Sequence, residues 1–482
     1  MGIQRNHFIF IMQFFLLIFQ IFRLIVVDIP LSEFSLIISI ISVLVSTILF
    51  FGFYEPNALA KEQLLRISYL FILGYLIVHF QIYMDYILGN YNKFRGDYLL
   101  FNNVVNRTAI LSSIGLICFN LGYTFSLMKG GIIPSYRLSN NSRFNRIPLL
   151  LIVVSTFVLF IGTANKAYFF GGYGTVELGS LATYFQTYFV YGIFAYMIVK
   201  SYFLKMKILK SSFMDYVKNL GFLFNLIVAT YLILVLTSGD RGPIIQLGLL
   251  YLSTYLFSQN KKLKIKYYVL GIFSAAFFIT LLGQIRSFQN EGSFIEKYNQ
   301  AKINKLSFEN SGSFSPTTHE LAISVRTVHA AVDYTDHFGF KYGIVQLNQL
   351  IAIFPGIGSI VRGITGLEGK DLISADILTH HIFGDNPSHG LGTSCLADFY
   401  LDFGMIGVVC CFFIFGFWCR YIENSTFQQK LPHLFIWILF FVFLTKSIYI
   451  GRSSITILFR ESIVIYFFIL ISIKNFKLLK NA

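Results

Sequence analysis

The chain is poor in charge, and above all in acidic side chains. Only 13% of its 482 residues are charged, with 23 acidic residues against 38 basic ones, and the net charge at pH 7 is +15. Soluble domains carry about 25% charged residues. So low a share argues against a soluble fold.

Cysteine is scarce as well, with five residues in the chain. Four of them fall within or at the ends of apolar segments, and their spacing offers neither a disulfide framework nor a CxxC metal site. The sequence also lacks a carboxylate cluster with metal-ligand spacing, an internal repeat and a low-complexity tract. We therefore expect no metal and no cofactor.

Long apolar runs fill most of the chain. Hydrophobic residues make up 55%, phenylalanine alone occurs 55 times, and the mean hydropathy is +0.66. Since about 20 apolar residues cross a bilayer core of roughly 30 Å, the runs predict an all-α, polytopic membrane protein with about twelve spans. The first run is expected to be retained as a span, because no signal-peptide cleavage site follows it. The predicted spans are 8–27, 34–53, 64–88, 108–128, 147–165, 181–200, 217–238, 243–258 (short, and tilted or partly re-entrant), 267–285, 395–418, 433–450 and 455–473.

Basic residues concentrate in alternate connections between these spans, within 129–146, 200–218, 261–266 and 474–480. With twelve spans, all four lie on one side, which the positive-inside rule makes cytoplasmic. Both termini are then expected inside. Because the basic residues flank membrane helices, we expect contact with membrane lipids and none with nucleic acid.

A long polar stretch separates two groups of apolar segments. We therefore divide the chain into N-terminal transmembrane helices (1–285), a large external loop with short helices (286–394) and C-terminal transmembrane helices (395–482). A large loop on the outer face is where substrate chemistry can take place. The loop holds six of the nine histidines, namely His319, His329, His337, His380, His381 and His389.

Residues 316–338 of this loop form a predicted helix with two distinct faces. At about 100° per residue, one face is apolar and the opposite face is titratable. The titratable face either faces solvent or lines an active cavity, and the sequence leaves both readings open. The apolar face carries Leu321, Val325, Val328 and Val332, and the titratable face carries His319, Arg326, His329, Asp333 and His337.

Arginines recur at the predicted outer boundary of the membrane. Arg241 lies in a tight outer turn, Arg286 ends a predicted span and Arg452 precedes the last span, which itself contains Arg460. A guanidinium near hydrocarbon is costly unless it is paired or solvated, and its planar fork suits phosphate oxygens. Snorkelling of each arginine towards the headgroups remains the alternative.

The start of the third region, residues 392–407, has a small-residue turn, the acid Asp398 and a Phe403-Gly404-x-x-Gly407 motif. Before it come a Gly-x-Arg-Gly-Pro turn at 239–243, the arginine at 286, a Tyr-Gly pair at 342–343 and an apolar run that ends at Pro355. In this order, residues 230–460 resemble the Wzy-type oligosaccharide repeat-unit polymerases, or O-antigen polymerases. That family often has Glu where this chain has Asp398.

The resemblance implies a glycosyltransferase of the bacterial inner membrane. Such enzymes transfer a growing glycan from one undecaprenyl pyrophosphate to a repeat unit on another, and a chain-length regulator protein is a further partner that the resemblance allows. The reaction needs a base for the acceptor hydroxyl and positive charge for the leaving pyrophosphate. The base candidates are His329, His319 and His389, with Asp398 orienting or replacing one of them, and the candidates for pyrophosphate or glycan binding are Arg241, Arg286, Arg326 and Arg452.

Among the base candidates we favour His329, because it lies one turn from Arg326 and one turn from Asp333, whose carboxylate would orient the ring. Two other functions remain open. An O-antigen ligase would share nearly the same plan with a different acceptor. A lipid-linked oligosaccharide flippase or exporter would be equally basic and polytopic, but would not require a long ordered outer loop.

Overall fold

The computed structural model describes residues 2–26, 30–55, 63–90, 99–129, 136–138, 143–170, 176–207, 212–240, 242–261, 318–351, 369–387, 390–428, 432–474 and 478–480, with isolated residues between 263 and 366. Helices dominate these ranges, which confirms the all-α prediction. They are α1 (Gly2–Val26), α2 (Glu33–Phe51), α3 (Ile67–Ile87), α4 (Val105–Lys129), α5 (Arg146–Thr163), α6 (Ser180–Lys207), α7 (Phe213–Leu220), α8 (Phe222–Ser238), α9 (Gly242–Ser258), α10 (His319–Ala322), α11 (Arg326–Phe338), α12 (Ile344–Ile351), α13 (Gly369–Leu372), α14 (Ser374–Phe383), α15 (Cys395–Thr426), α16 (Leu434–Lys446) and α17 (Ile455–Ser472).

Shorter elements join or extend these helices. Turns of 3-10 helix cover Lys166–Phe170, Ile323–Val325 and Ser447–Arg452, and the second of them makes residues 319–338 one helical segment. The strands are β1 (Tyr136–Leu138), β2 (Arg143–Phe144), β3 (Ile473–Lys474) and β4 (Leu478–Lys480).

In the described part of the chain, nine helices are long and apolar enough to cross a membrane, and a bent helix pair raises the count to ten. Together they account for ten of the twelve predicted spans. The predicted span 243–258 corresponds to helix α9. With 17 residues, α9 is one residue shorter than the 18 required of a candidate span. The predicted span 267–285 lies outside the described residues apart from Gly271.

One predicted span has the wrong shape. Residues 217–238 were expected to form a single helix, but α7 and α8 meet at an angle of 98°. The bend lies at Gly221, whose φ of 103° is accessible to glycine and strained for other residues. Hydropathy reports how apolar a segment is and carries no information about the direction of its axis.

The basic connections meet at one end of the helix bundle, which we call the basic end. Strand β1 pairs antiparallel with β4, and β2 pairs with β3, so the loop after α4 contacts the C-terminal tail. The Lys205 ammonium donates to the carbonyl of Thr426 at 3.2 Å, and the Gln63 amide donates to the carbonyl of Lys261 at 3.4 Å. Two of the four predicted basic connections, 129–146 and 474–480, are therefore in direct contact.

Helices α4 and α15 form the closest helix pair at the centre of the bundle. A Cβ atom added at Gly122 would lie 1.9 Å from the carbonyl oxygen of Phe413, and one added at Gly416 would lie 2.0 Å from that of Phe119. The two backbones are thus in direct contact at reciprocal glycines. Small residues allow this approach in membranes, where packing rather than hydrophobicity drives helix association.

Buried charges at the basic end neutralise one another. The Arg420 guanidinium donates to both carboxylate oxygens of Glu55, at 2.6 and 2.9 Å, and Arg66 donates to the same carboxylate at 3.4 Å. Glu423 accepts from the Tyr123 hydroxyl at 2.7 Å. Two guanidinium groups therefore face two carboxylates, and removal of any one would leave an uncompensated buried charge.

We expect Gly416→Ala to destabilise the folded protein by about 1–3 kcal/mol, because its methyl group would force α4 and α15 apart. The measurement is the thermal unfolding temperature of the purified protein in detergent. Gly248→Ala in α9 is the matched control, since nothing lies within 4 Å of its added Cβ and alanine favours helix. Equal unfolding temperatures for the two variants would contradict the close contact.

Candidate active site

The end of the bundle opposite the basic end carries the short helices α10–α14, and we call it the loop end. Helix α10 packs on α3, α11 packs on α15, α12 packs on α15 and α17, and α14 packs on α11. Polar contacts fix where this segment begins. The Gln81 amide of α3 donates to the carbonyl of Ser315 at 2.9 Å and accepts from the Thr318 hydroxyl at 2.7 Å, while Asp85 accepts from the Ser313 hydroxyl at 2.7 Å.

His329 lies fully buried between α11 and α3. Its Nε2 atom is 2.9 Å from the Tyr83 hydroxyl oxygen, and its Nδ1 atom has no hydrogen-bond partner in the described part of the chain. Burial lowers the pKa of His329 to about 3, and the nearby charge of Arg326 acts in the same direction. The imidazole is therefore neutral near pH 7, and its ring is surrounded by protein rather than solvent.

The centre of the predicted titratable face of residues 316–338 is therefore buried and does not face solvent. His329 and Asp333 are buried, as are Val328 and Val332 on the apolar face, because α11 packs on α15, α14 and α4. The prediction that Asp333 orients the His329 ring is wrong. Asp333 instead contacts His381 of α14, and Tyr83 is the hydrogen-bonding partner of His329.

His319 and Arg326 lie on the same helical segment and are half-buried. Burial lowers the pKa of His319 and the charge of Arg326 lowers it further, while the carboxylate of Asp85 opposes both. His319, Arg326 and His329 thus lie on one helical segment, and Arg326 is close enough to lower the pKa of both histidines.

Helix α15 is interrupted at Gly404, which has φ 61° and ψ −149°. Such a break disturbs the regular hydrogen bonding of the preceding turn. The neighbouring loop supplies partners: the Lys341 N–H donates to the carbonyl of Leu401 at 2.8 Å, and the Tyr342 N–H donates to that of Asp402 at 3.0 Å. The Phe-Gly motif of the sequence is therefore a docking point for the Tyr-Gly turn.

The two carboxylates of this segment hold α12. Asp402 accepts from the backbone N–H groups of Val345 at 3.1 Å and Gln346 at 2.9 Å, and so satisfies the first turn of α12 from another helix. Asp398 is buried and accepts from the Thr393 hydroxyl and, at 3.0 Å, from the Gln349 amide. Both carboxylates are thus engaged by neutral donors.

Gln349 also links α12 to α17. The Ser454 hydroxyl donates to Oε1 of Gln349, and the Arg460 guanidinium lies 3.5 Å from the carbonyl oxygen of Gln349. Helix α12 is consequently fixed between the starts of α15 and α17. Two of its apolar side chains, Leu347 and Leu350, remain exposed, as expected of a helix that lies at a membrane interface.

Two arginines next to α12 have no acidic partner within 4 Å among the described residues. Arg452 is exposed on the 3-10 turn before α17, and Arg460 is half-buried inside α17, beside the Tyr191 hydroxyl. The adjacent carboxylate, Glu461, instead binds the Lys446 ammonium at 2.5 Å. An arginine of this kind is suited to an anion that comes from outside the protein.

Three predicted site residues, Arg241, Arg286 and His389, lie outside the described residues. The remaining five form separate groups, with His319, Arg326 and His329 against α3, Asp398 beneath α12, and Arg452 at the surface. Sequence reasoning missed the contact between Asp333 and His381. It also missed the bidentate ion pair of Arg107 with Asp336, at 2.6 and 3.0 Å, because its partners are 229 positions apart.

We expect acid to destabilise the fold through His329. Its pKa in the folded protein, about 3, lies below the ordinary value of 6.5. The unfolded state then binds more protons between these values, so stability falls as the pH drops below 6.5, by at most about 1.4 kcal/mol per pH unit. The unfolding temperature should fall less steeply with acid in His329→Gln, whose amide still reaches Tyr83. An unfolding temperature that falls equally steeply with acid in the wild type and in His329→Gln would contradict a neutral, buried His329 ring.

Comparison with known proteins adds the family. The family model for the O-antigen polysaccharide polymerase Wzy matches residues 8–481, which is nearly the whole chain. Searches of curated proteins and of solved structures find no match.

Proposed function

The chain belongs to the Wzy family of O-antigen polysaccharide polymerases, and we propose that it joins repeat units carried on undecaprenyl pyrophosphate, at the loop end of the bundle. It is a multi-pass protein of the bacterial inner membrane and polymerises repeat units in O-antigen synthesis. The observation that carries the proposed location is that Arg452 and Arg460, beside α12, have no acidic partner within 4 Å among the described residues.

The chemistry of the donor supports this location. A lipid pyrophosphate carries its negative charge at the level of the headgroups, and its polyprenyl chain lies among the lipid tails. The exposed Leu347 and Leu350 of α12 suit the same interface, and Arg460 lies just within the last span. The departing pyrophosphate gains negative charge as the glycosidic bond breaks, so a guanidinium there stabilises the transition state more than the ground state.

We assign Arg241 and Arg286 to the same pyrophosphate site on the strength of the sequence alone. Arg326 is the candidate for glycan binding on α11, next to His319 and His329. Asp398 acts in this proposal as a positioning residue, because its carboxylate orients Gln349 and thereby the helix that borders Arg460. His389 stays a candidate base from the sequence.

We expect Arg460→Lys and Arg452→Lys each to reduce polymer formation roughly 10- to 100-fold, because lysine keeps the charge and loses the two parallel hydrogen bonds to phosphate oxygens. The same loss is expected for Arg241→Lys and Arg286→Lys. The measurement is the ladder of chain lengths on lipopolysaccharide, with the membrane level of each variant checked by immunoblot. Arg146→Lys, at the exposed basic end, is the control.

A full ladder from all four variants would contradict the shared pyrophosphate site and favour snorkelling of the arginines.

The product that accumulates when the protein is lost also distinguishes the related functions. Loss of a polymerase leaves single repeat units on the lipid A core, loss of a ligase leaves unattached polymer, and loss of a flippase leaves neither.

We further propose that the basic end and both termini face the cytoplasm, on the positive-inside rule. Reporter fusions after Lys207, Lys264 and Lys477 should then report cytoplasm, while fusions near Asn310 and Gly369 should report the outside. A cytoplasmic signal near Asn310 would defeat both this orientation and the site proposed at the loop end.

A further inference from the structure

Asp333 of α11 lies between two imidazole rings. Its Oδ2 atom is 2.8 Å from Nε2 of His381 in α14, and its backbone oxygen is 2.8 Å from Nδ1 of His337, one turn further along α11. The Asp333 side chain is 8% exposed, that of His381 13% and that of His337 63%. The cluster therefore runs from the protein interior to the surface of the loop end.

The hydrogen bonds determine the tautomers of the two rings. A carbonyl oxygen and an ionised carboxylate only accept, so a neutral His337 carries its proton on Nδ1 and a neutral His381 carries its proton on Nε2. The other nitrogens, Nε2 of His337 and Nδ1 of His381, have no hydrogen-bond partner in the described part of the chain. Each is thus an unoccupied proton acceptor.

Aromatic rings surround His381. The ring centroids of Tyr334, Phe338 and Phe101 lie 5.4, 5.8 and 6.2 Å from the centroid of its imidazole. Phe338 is 67% exposed and Phe101 37% exposed, so these rings offer apolar surface beside the imidazole. A sugar can place its apolar face on such a surface and its hydroxyls towards the imidazole.

The other charged groups around the cluster are engaged elsewhere. His380 of α14 binds Asp385 at 2.6 Å, and Arg107 of α4 binds Asp336 at 2.6 and 3.0 Å. The Lys341 ammonium lies over the Tyr334 ring, 5.3 Å from its centroid. Asp333 is therefore the carboxylate that orients His381.

We propose that His381, oriented by Asp333, is the general base that takes the proton from the acceptor hydroxyl of the glycan. The proposal rests on the polymerase function proposed above and moves the base from His329 to a residue that the surface can reach. A carboxylate that holds one ring nitrogen and leaves the other free to accept a proton is an arrangement that suits general base catalysis.

The step balances without a further reactant. The acceptor oxygen forms a bond to the anomeric carbon of the donor glycan, and the bond from that carbon to the pyrophosphate oxygen breaks. The bonding electron pair leaves with the lipid pyrophosphate. The hydroxyl proton goes to Nδ1 of His381 and from there to solvent. The neighbouring His337 is exposed to that solvent.

The deciding variant is His381→Gln, because the glutamine amide can still donate to Asp333 but cannot act as a base. Full-length purified protein is assayed with undecaprenyl-pyrophosphate repeat units extracted from cells that lack it. We expect kcat to fall about 10²- to 10⁴-fold with little change in KM. His380→Gln is the matched control on the same helix and should stay within about threefold of the wild type, since that histidine lies outside the proposed site.

Two further variants separate a base from a structural residue. His381→Ala should regain part of its activity when imidazole is added, whereas a purely structural loss would not be restored. Asp333→Asn should lower kcat by about 10- to 100-fold, because the amide orients the ring without stabilising its charged form.

The outcomes are distinguishable. A wild-type protein that makes no polymer from this donor would overturn the proposed function. An active wild type with an equally active His381→Gln would overturn the base and leave the function intact. If His381→Gln does not insert, full activity of Asp333→Asn overturns the proposal, and a loss of kcat with unchanged KM supports it.

Discussion

The interruption of α15 at Gly404 determines how the loop end is built. Without it, the carbonyls of Leu401 and Asp402 would be used within the helix, and the Tyr-Gly turn would have no backbone partner. A Cβ atom there would also meet the Phe340 ring at 2.8 Å. From this break follow the docking of residues 341–343, the capping of α12 by Asp402 and the placement of α12 against the start of α17.

Buried charged side chains are paired differently at the two ends of the bundle. At the basic end, Glu55, Arg66, Arg420 and Glu423 are buried and mutually neutralised, which is what a permanent structural contact requires. At the loop end, buried Asp398 and Asp402 use neutral donors, so their negative charge is not cancelled by a guanidinium. Arg452 and Arg460 then remain available to an anion from outside the protein, and this asymmetry distinguishes the candidate site from a second stabilising cluster.

The apolar runs predicted the span positions well, because the bilayer imposes a length and a composition that can be read locally. The charge pattern likewise placed connections 129–146 and 474–480 on one side, and these two are in contact. The bend at Gly221 was not predictable in this way, because a single glycine within an apolar run does not reveal its backbone angles.

The site was harder to predict, because helical spacing gives the face of a residue and not what packs on it. His329 is buried because Tyr83, 246 positions earlier, lies opposite, and Asp333 turns to His381, 48 positions later. Contacts of this kind depend on how distant helices are brought together. For the same reason, the sequence paired Asp333 with the wrong ring.

The pairing of β1 with β4 has a consequence for biogenesis. Residue 136 pairs with residue 480, so the loop after α4 acquires its strand partner only after residues 478–480 have left the ribosome. The earlier helices must insert and associate while that loop is still unpaired. A chain truncated between α17 and residue 478 would therefore lack this strand pair, although it would still carry helices α1–α17.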